Sequence, residues 1–600
     1  MIRAAMIPLS SLSWRLVLFG LALLAPCALR AQDSLPPRDT THRELPRDSV
    51  GQHPLPVVPG MDSLRDSVGL HPLFLVPSND TLRDSLGLHP EIEVPTDSLG
   101  RPIIKYIEVR RANIFDSAEV KGFLTRAMNA LHITTLPSVV TREILFHEGE
   151  PYDSAKVAET TRNLRALGVF RKVRIDSTTT DSGFVMKVFV QDGWSTQADL
   201  SFRSAGHQTD WQVSLSEGNL LGTASLFVTR YHHTPDRNSI NFQFMQQRFL
   251  LRHLGIGLRY ESQTAGKRGQ VLVQRPFYSL EDKAGLTTVF DIRNEQVLQF
   301  RDGSGTAADS LRRRYTIGQA EGAIALSAGT RGYLRLGLDA QVRRDDYAPW
   351  PANTTSRSVT AMFGPFLEWR RANYVVSRGF YRMGRAEDVD VSNYGRIGLF
   401  AAPAALGYPR DGIGGLALAR VGTRLSRGFA WIDARVNGVV TSAGLDSGSA
   451  TLAGTFVYTP NIHHVLIAHA DIGWLKNPLP GTEFDLGFLI GPRGFPLHAF
   501  TGDRTYFATT EYRYMLGEDI WKAIDLGVAA FADHGGAWWN YEGRRTGTDV
   551  GLGIRIGPSR AANANPTRLD FAYRFKNDAQ RAGWLFVISS GLVFSTQFRQ

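Results

Sequence analysis

Apolar and polar residues alternate with a period of two over most of residues 193–600. Ile240–Phe244 shows this pattern, and Leu334–Val342 places Arg335 and Asp339 between apolar residues. Two is the side-chain period of a β-strand, and charged residues on the buried face of a soluble sandwich would be costly. The alternation therefore predicts strands that turn apolar side chains towards lipid and polar side chains towards a wet interior, as in a transmembrane β-barrel.

The length of this region sets the expected number of strands. A sheet that spans lipid must close on itself, because lipid leaves an unpaired sheet edge unsatisfied. Roughly 400 residues, at about 25 for each strand and its connection, give about sixteen antiparallel strands. The soluble alternative is a pair of sandwiches or a propeller, and no blade-length repeat supports it. We therefore expect a mainly β chain with an antiparallel transmembrane barrel at residues 193–600.

Residues 1–31 have the pattern of a secretory signal peptide. Arg3 and Arg15 supply positive charge, Leu16–Ala25 form a short apolar core, and Ala31 offers a cleavage point. We therefore expect the chain to be exported.

Cys27, the only cysteine of the sequence, lies within this predicted signal. It raises a lipoprotein alternative, which the proline directly before it suits poorly. Because the mature chain would lack cysteine, disulfides and thiolate metal sites are excluded. The formal net charge of +10 is small for 600 residues and the basic residues are scattered, which argues against nucleic-acid binding.

Residues 32–102 contain a repeat with a period of about 18 residues. The tetrad Asp-Ser-Val-Gly at 48–51 returns at 66–69 and, with leucine in third place, at 84–87. A composition rich in Pro, Asp and Ser predicts a disordered linker. Two alternatives are a small solenoid, which three short copies would hardly stabilise, and a repeated motif that docks a periplasmic partner.

Residues 103–192 have the pattern of a small α+β domain. The predicted order is strand, helix, helix, strand, strand. These elements are a strand at Ile103–Arg111, a helix at Pro137–Phe146, a helix that begins near Ser154 and ends at Gly168, and antiparallel strands at Phe170–Ile175 and Phe184–Val190.

The segment Gly491–Pro496 places Arg493 between two turn glycines and next to Phe495, deep within the alternating region. Such a loop makes sense if it folds back into a water-filled barrel and the guanidinium finds a carboxylate on the inner wall. Downstream, Asp533 offers that carboxylate on a strand-like stretch. A bidentate pair of charge-assisted hydrogen bonds would then hold the loop inside.

Two sets of residues carry a resemblance to known families. Residues 103–192 resemble a polypeptide-transport-associated (POTRA) domain, with the signature residues Gly149, Tyr152, Gly168 and Phe170. The barrel half resembles the bacterial surface antigen superfamily of POTRA-bearing outer-membrane barrels, which includes BamA/TamA-like assembly factors and two-partner secretion pores. The residues that carry this second resemblance are Glu217–Gly222 as the first-hairpin signature, Arg493, Gly494 and Phe495 as the lumen loop motif, and Glu511, Arg513 and Asp533 as its barrel-wall partners.

The resemblance implies an outer-membrane protein that inserts or translocates polypeptides and performs no covalent chemistry. A POTRA domain would capture a client strand by pairing it with a sheet edge. Implied partners are outer-membrane lipid and lipopolysaccharide, polypeptide clients, and periplasmic or lipoprotein accessory factors. The N-terminal region would lie in the periplasm. The alternatives are a two-partner-type secretion pore and a passive outer-membrane pore or anchor.

An enzymatic reading has little support in the sequence. A phospholipase barrel would need an outward-facing Ser/His pair on adjacent strands, and none is found. The pairs His232-His233 and His463-His464 are adjacent, so their side chains alternate between strand faces, a poor geometry for a shared metal. No catalytic residue, metal or cofactor is therefore expected.

The C-terminus departs from the family pattern, in which an aromatic residue usually ends the last strand. Phe594, Thr596 and Phe598 form the predicted last outward-facing row, but Arg599 and Gln600 follow it.

Overall fold

The computed structural model describes residues 94–594, except for short gaps at 116–118, 121, 182, 206–207, 248–252, 302–306, 350–355, 385, 489, 522 and 560–564. The predicted signal peptide and almost all of the repeat linker lie outside the described residues, as do Thr596 and Phe598. Among the described residues, no helix is both long and apolar enough to cross a membrane.

The N-terminal domain has a three-stranded sheet in the order β1-β3-β2, in which β1 runs parallel to β3. Its elements are β1 (Ile104–Ala112), α1 (Phe123–Leu131), α2 (Pro137–Thr141), α3 (Ser154–Ala166), β2 (Phe170–Thr180) and β3 (Gly183–Asp192). The three strands and the helix from Ser154 match the sequence prediction, and the helix at Pro137 is shorter than expected. Helix α1 falls in a stretch to which no element was assigned. The identification of this domain as POTRA stays a prediction.

The barrel is a closed sheet of twenty strands among the described residues, and every neighbouring pair is antiparallel. The expectation of a mainly β, antiparallel barrel is therefore confirmed, but the prediction of about sixteen strands is wrong. Several connections have only two residues, such as 330–331 and 426–427. One strand with its connection thus takes about 20 residues, and not the 25 assumed from typical barrels.

The strands of this region, in chain order, are β4 (Thr196–Ala205), β5 (Gln208–Glu217), β6 (Leu226–His233), β7 (Asn238–Gln246), β8 (Gly255–Gln263), β9 (Gly266–Arg275), β10 (Ala284–Phe300), β11 (Ala307–Gly329), β12 (Gly332–Pro349), β13 (Ser356–Arg371), β14 (Tyr374–Arg378), β15 (Ala386–Asp390), β16 (Asn393–Ala402), β17 (Gly412–Leu425), β18 (Gly428–Thr441), β19 (Gly444–Asn461), β20 (His464–Lys476), β21 (Phe484–Leu486), β22 (Phe500–Gly502), β23 (Arg504–Ile520), β24 (Ile524–Trp538), β25 (Gly547–Pro558), β26 (Thr567–Arg574) and β27 (Gly583–Ser590). Two pairs, β14–β15 and β21–β22, form small separate sheets, and the other strands form the barrel.

Burial in the barrel wall is the reverse of that in a soluble protein. On β12, Arg335 and Asp339 are 6% and 3% exposed, whereas Leu336 and Leu338 are 42% and 49% exposed. Polar side chains thus fill the interior, and apolar side chains cover the outside. This arrangement is stable when the outside is lipid, as the alternation in the sequence predicts.

The two ends of the barrel are distinguished by the N-terminal domain. The chain enters the barrel at β4 directly after this domain, so we call that end the near end and the opposite end the far end. Helix α3 packs against the near-end connection between β9 and β10. There Glu159 Oε1 accepts a hydrogen bond from Leu280 N at 2.7 Å, and Asn163 Nδ2 donates one to Tyr278 O at 3.0 Å.

Two long connections fold into the barrel. Residues 477–503, here named the luminal loop, leave the far end between β20 and β23 and include β21 and β22. Residues 372–392, here named the plug segment, leave the near end between β13 and β16 and include β14 and β15. Buried side chains of both, such as Phe495 and Phe380, belong to one apolar cluster with the inner wall. The barrel interior is thus filled from both ends.

Candidate functional site

The luminal loop carries the predicted motif to the inner wall of β23 and β24. Arg493 Nε donates to Asp533 Oδ2 at 2.7 Å, and Arg493 Nη2 donates to Asp533 Oδ1 at 3.1 Å. Nη1 of the same guanidinium donates to Glu511 Oε2 at 2.7 Å. The structure therefore brings together Arg493 and the two carboxylates that the sequence singles out, in the bidentate geometry that fixes position as well as charge.

The guanidinium is enclosed on all sides. Arg493 is 1% exposed, and its Cζ lies 3.6 Å from the centroid of the Phe531 ring. Thr509 Oγ1 accepts from Nη2 at 3.3 Å, and the backbone N–H of Arg493 donates to Asp533. A buried cation of this kind persists only when it is paired and hydrogen-bonded, so the loop position and the wall charges depend on each other.

Gly494 and Phe495 fix the loop on the neighbouring strands. Gly494 N donates to Asp549 Oδ2 at 2.9 Å, and its carbonyl accepts from Arg574 Nη1 at 3.0 Å. Phe495 is fully buried, and the centroid of its ring lies 5.6 Å from the Cζ of Arg574 on β26. Each of the three motif residues therefore has a distinct attachment to the barrel.

The third predicted wall residue, Arg513, joins the two luminal segments. Its Nε donates to Glu511 Oε1 at 2.7 Å. Its Nη1 donates to the carbonyls of Gly379 and Phe380 in the plug segment, at 2.8 and 2.6 Å. Glu511 thus lies between Arg493 of the luminal loop and Arg513, which holds the plug segment.

The network extends to residues that sequence reasoning did not assign to the site. Arg555 Nε donates to Glu511 Oε1 at 3.1 Å, and its Nη1 lies 2.5 Å from Asp570 Oδ1. Four arginines and four carboxylates, all nearly inaccessible to solvent, share this part of the wall: Arg493, Arg513, Arg555, Arg568, Glu511, Asp533, Asp549 and Asp570. Charged residues at inward positions of adjacent alternating strands were the signal that could have found the additional members.

The predicted POTRA signature residues have structural roles within the N-terminal domain. Gly149 has a φ of +84° in the turn before α3, and its N–H donates to Ile104 O at 2.8 Å. Gly168 has a φ of +70° just after α3, where a left-handed residue ends the helix. Phe170 is buried in the domain core, and Tyr152 makes an edge contact with Phe184.

The first-hairpin motif joins the barrel to the N-terminal domain. Asn219, buried in the turn between β5 and β6, donates from Nδ2 to Ile133 O at 3.1 Å and to Thr135 Oγ1 at 3.0 Å. Leu136 N donates to Gly222 O at 2.8 Å. A motif that resemblance assigned only to the barrel therefore also fixes the domain at the near end.

The barrel closes through one weakly paired seam, between β27 and β4. Only Val587↔Arg203 and Ile588↔Phe202 pair there among the described residues, whereas β26 and β27 pair from Thr567↔Ser590 to Arg574↔Gly583. Most of the hydrogen-bonding edge of β4 therefore has no partner strand from β27.

After β27 the chain turns inwards. Gly591 has a φ of +73°, and Phe594 stacks on His469 with ring centroids 4.0 Å apart. The prediction of an outward-facing Phe594 is wrong, because this turn carries the side chain into the barrel interior, where it is 7% exposed.

Metal binding receives no support in the described part of the chain. No group of three or more His, Cys, Asp or Glu residues there is arranged to hold a metal ion.

Comparison with known proteins gives distant structural matches only. No family model matches the chain, and no curated protein matches it. BamA from Haemophilus ducreyi lacking POTRA domains 1–3 is 13% identical over 81% of this chain and 84% of that chain, with a TM-score of 0.35. CdiB from Escherichia coli is 11% identical over 82% and 76%, with a TM-score of 0.44. CdiB from Acinetobacter baumannii is 10% identical over 81% and 73%, with a TM-score of 0.42. The structural neighbours of the chain thus include BamA and CdiB barrels.

Proposed function

We propose that this protein is an outer-membrane assembly factor that inserts polypeptide clients through the seam between its first and last barrel strands. The seam carries the proposal, because β27 and β4 pair through only two residue pairs in the described part of the chain. Each missing pair removes ladder hydrogen bonds, so this junction is the place where the wall opens at the lowest cost. A client strand that pairs with the edge of β4 would use backbone groups that β27 leaves unpaired among the described residues.

The filled interior favours this lateral route over passage through the lumen. The luminal loop enters from the far end and the plug segment from the near end, and both are bound to the same Arg513–Glu511 pair. A chain that crossed through the lumen would have to displace both. A client that enters at the seam needs neither displacement.

The N-terminal domain offers a sheet edge for client capture. Within residues 94–192, apart from the gaps named above, strand β2 pairs with β3 on one side only, and its other edge has no partner strand. A client strand could add to this edge by main-chain hydrogen bonds before transfer to β4. In this scheme the near end faces the periplasm, and lipid and lipopolysaccharide surround the apolar outside. Periplasmic or lipoprotein accessory factors are partners of the same scheme.

A disulfide across the seam tests the proposal. Phe202 and Ile588 are directly opposed, so Phe202→Cys with Ile588→Cys in a Cys27→Ser background would close the seam covalently. The matched control, Leu569→Cys with Ile588→Cys, joins β26 to β27 within the continuous wall. The assay measures how much of a small outer-membrane barrel, unfolded in urea, inserts into liposomes that contain the purified protein. Closure of the seam should abolish the stimulated insertion, reduction should restore it, and the control pair should leave it unchanged.

Other outcomes separate the alternatives. Undiminished insertion with an oxidised seam would contradict the lateral route. Transfer of the client into the liposome interior, seen as protection from added protease, would favour a secretion pore of the two-partner type. Equal insertion with and without the protein would favour a passive pore or anchor.

A further inference from the structure

The plug segment has no counterpart in the sequence predictions, and it lies almost wholly inside the barrel. Phe380 and Glu387 are fully buried, and Met383 is 2% exposed. The plug segment is also a long connection for the near end, where several other connections have only two residues. A segment buried in this way occupies the near-end part of the lumen.

The tip of the segment reaches wall strands beyond those that flank it, from β18 to β24. The Phe380 ring makes edge contacts with Phe429 and Trp431 of β18, with centroids 5.4 and 5.8 Å apart. Met383 lies against β24, where a Cβ on Gly527 would come within 2.8 Å of the Met383 Cε. The segment therefore crosses from β13 and β16 to β24 and does not merely line one side.

The turn at the tip is held in a fixed shape by one carboxylate. Glu387 Oε1 accepts from the backbone N–H groups of Phe380 and Tyr381, each at 3.0 Å, and its Oε2 accepts from that of Arg382 at 3.2 Å. Three hydrogen bonds to one buried carboxylate make the tip a rigid unit, because each bond to a charged acceptor is stronger than a neutral one. The segment would thus move as one body.

The base of the segment is bound to the N-terminal domain. Arg165 of α3 donates from Nη1 to Asp388 Oδ2 at 2.9 Å, and the two side chains are 14% and 7% exposed. One turn earlier on the same helix, the Arg162 Cζ lies 4.6 Å from the centroid of the Tyr374 ring on β14. Helix α3 therefore contacts both β14 and β15 of the plug segment.

We propose that docking of the N-terminal domain holds the plug segment in the lumen through the Arg165–Asp388 ion pair, and that undocking releases the plug and opens the near end. Asp388 follows Glu387 in the chain. A displacement of β15 at the Arg165–Asp388 ion pair would therefore move Glu387 and the tip that it holds. A client that draws the domain away from the barrel would thereby unlock the lumen. The coupling goes beyond the proposed function, because it operates in an insertion factor and in a secretion pore alike.

The test measures how often the plug leaves the lumen in the full chain. Ser377→Cys, nearly isosteric and 8% exposed on β14, is the reporter in a Cys27→Ser background refolded into liposomes. Its labelling rate with a water-soluble maleimide reports the open population. Arg165→Ala should raise the rate about tenfold, because removal of one partner from a buried ion pair is strongly destabilising. Met383→Cys, at the tip, serves as a second reporter.

The control variants separate the ion pair from general damage to the domain. Arg174→Ala removes an arginine from β2 that is 53% exposed and pairs with exposed Asp176, so the rate should not change. The exchange Arg165→Asp with Asp388→Arg should return the rate towards that of the wild type, whereas either single reversal should raise it. A wild-type rate in Arg165→Ala, an equal rise in Arg174→Ala, or no rescue by the exchange would overturn the proposal.

Discussion

Arg493 Nε lies 2.7 Å from Asp533 Oδ2, although the two residues are 40 positions apart in the chain. The contact joins a connection of the far end to the inner face of β24, in a place that solvent hardly reaches. This contact helps to hold the luminal loop inside the barrel.

Arg493→Ala should lower the free energy of unfolding of the barrel by about 3–5 kcal/mol, because it leaves buried carboxylates without their cation. Arg493→Lys should recover only part of the loss, since a lysine cannot form the bidentate pair. Urea unfolding in lipid vesicles measures both. In planar bilayers, Arg493→Ala and Asp533→Ala should alter channel gating alike. Arg427→Ala, at an exposed near-end turn, is the control. Wild-type gating in both Arg493→Ala and Asp533→Ala would show that the ion pair does not affect gating.

Gly547→Ala on β25 should displace Phe495 of the lumen loop motif. A Cβ at Gly547 would come within 2.2 Å of the Phe495 Cζ, so the ring or β25 must shift. Overpacking of this kind costs about 1–3 kcal/mol of stability. Gly583→Ala is the matched control, because a Cβ there meets nothing within 4 Å. The urea midpoint should fall for Gly547→Ala only, and equal midpoints for the two variants would contradict the close approach.

His498 should make the attachment of the luminal loop depend on pH. Its Nδ1 lies 2.6 Å from Asp485 Oδ2 and its Nε2 lies 2.8 Å from Asp236 Oδ2, and these hydrogen bonds outweigh desolvation and raise the pKa of His498 to about 9. Because the folded-state pKa lies above the ordinary 6.5, the stabilisation is complete below about 6.5 and is lost as the pH rises through about 9. Burial also raises the pKa of nearby Glu483 from 4.5 to about 7. The stabilisation that protonated Glu483 gives is therefore lost at lower pH than that of His498, as the pH rises through about 7.

Limited proteolysis of the luminal loop between pH 6 and pH 10 measures the effect of His498. Cleavage should increase across this range in the wild type. His498→Gln should be cleaved readily at pH 6 and should show a smaller increase, with Glu483 as the remaining titrating group. The same pH dependence in both proteins would exclude His498 as its source.

Asn219→Ala should loosen the N-terminal domain from the barrel. The side chain satisfies Ile133 O and Thr135 Oγ1, and a buried partner left without its hydrogen bond costs about 1–3 kcal/mol. Proteolysis within residues 193–195, which join β3 to β4, should release the domain faster than in the wild type. Asn540→Ala, at an exposed far-end position, is the matched control. Unchanged release would show that the turn does not hold the domain.

The parts of the fold that the sequence predicted are those with a local signal. Period-two alternation identified the inward and outward faces of β12 correctly, because burial in a barrel wall follows the strand period. The Arg493–Asp533 contact was found because an arginine between turn glycines is unusual and a carboxylate lay on a nearby alternating strand. In both cases a few adjacent residues carried the information.

The features that the sequence missed depend on contacts between distant segments. Strand number depends on connections that are shorter than average, which composition does not reveal. The plug segment has ordinary loop composition, and only the position of Phe380 against β18 shows that it enters the lumen. Phe594 sits in an alternating row and would face lipid if the strand continued, but the turn at Gly591 sends it inwards.

The equal numbers of arginines and carboxylates in the wall network have a consequence for ion selectivity. Arg493 is the only member of that set that belongs to the luminal loop, and the other members belong to barrel strands. When the loop leaves, the seven remaining members of the set are four carboxylates and three arginines, and this group has a formal excess of one negative charge. A conducting state formed in this way would favour cations over anions, so reversal potentials in a salt gradient would reveal whether the loop has moved.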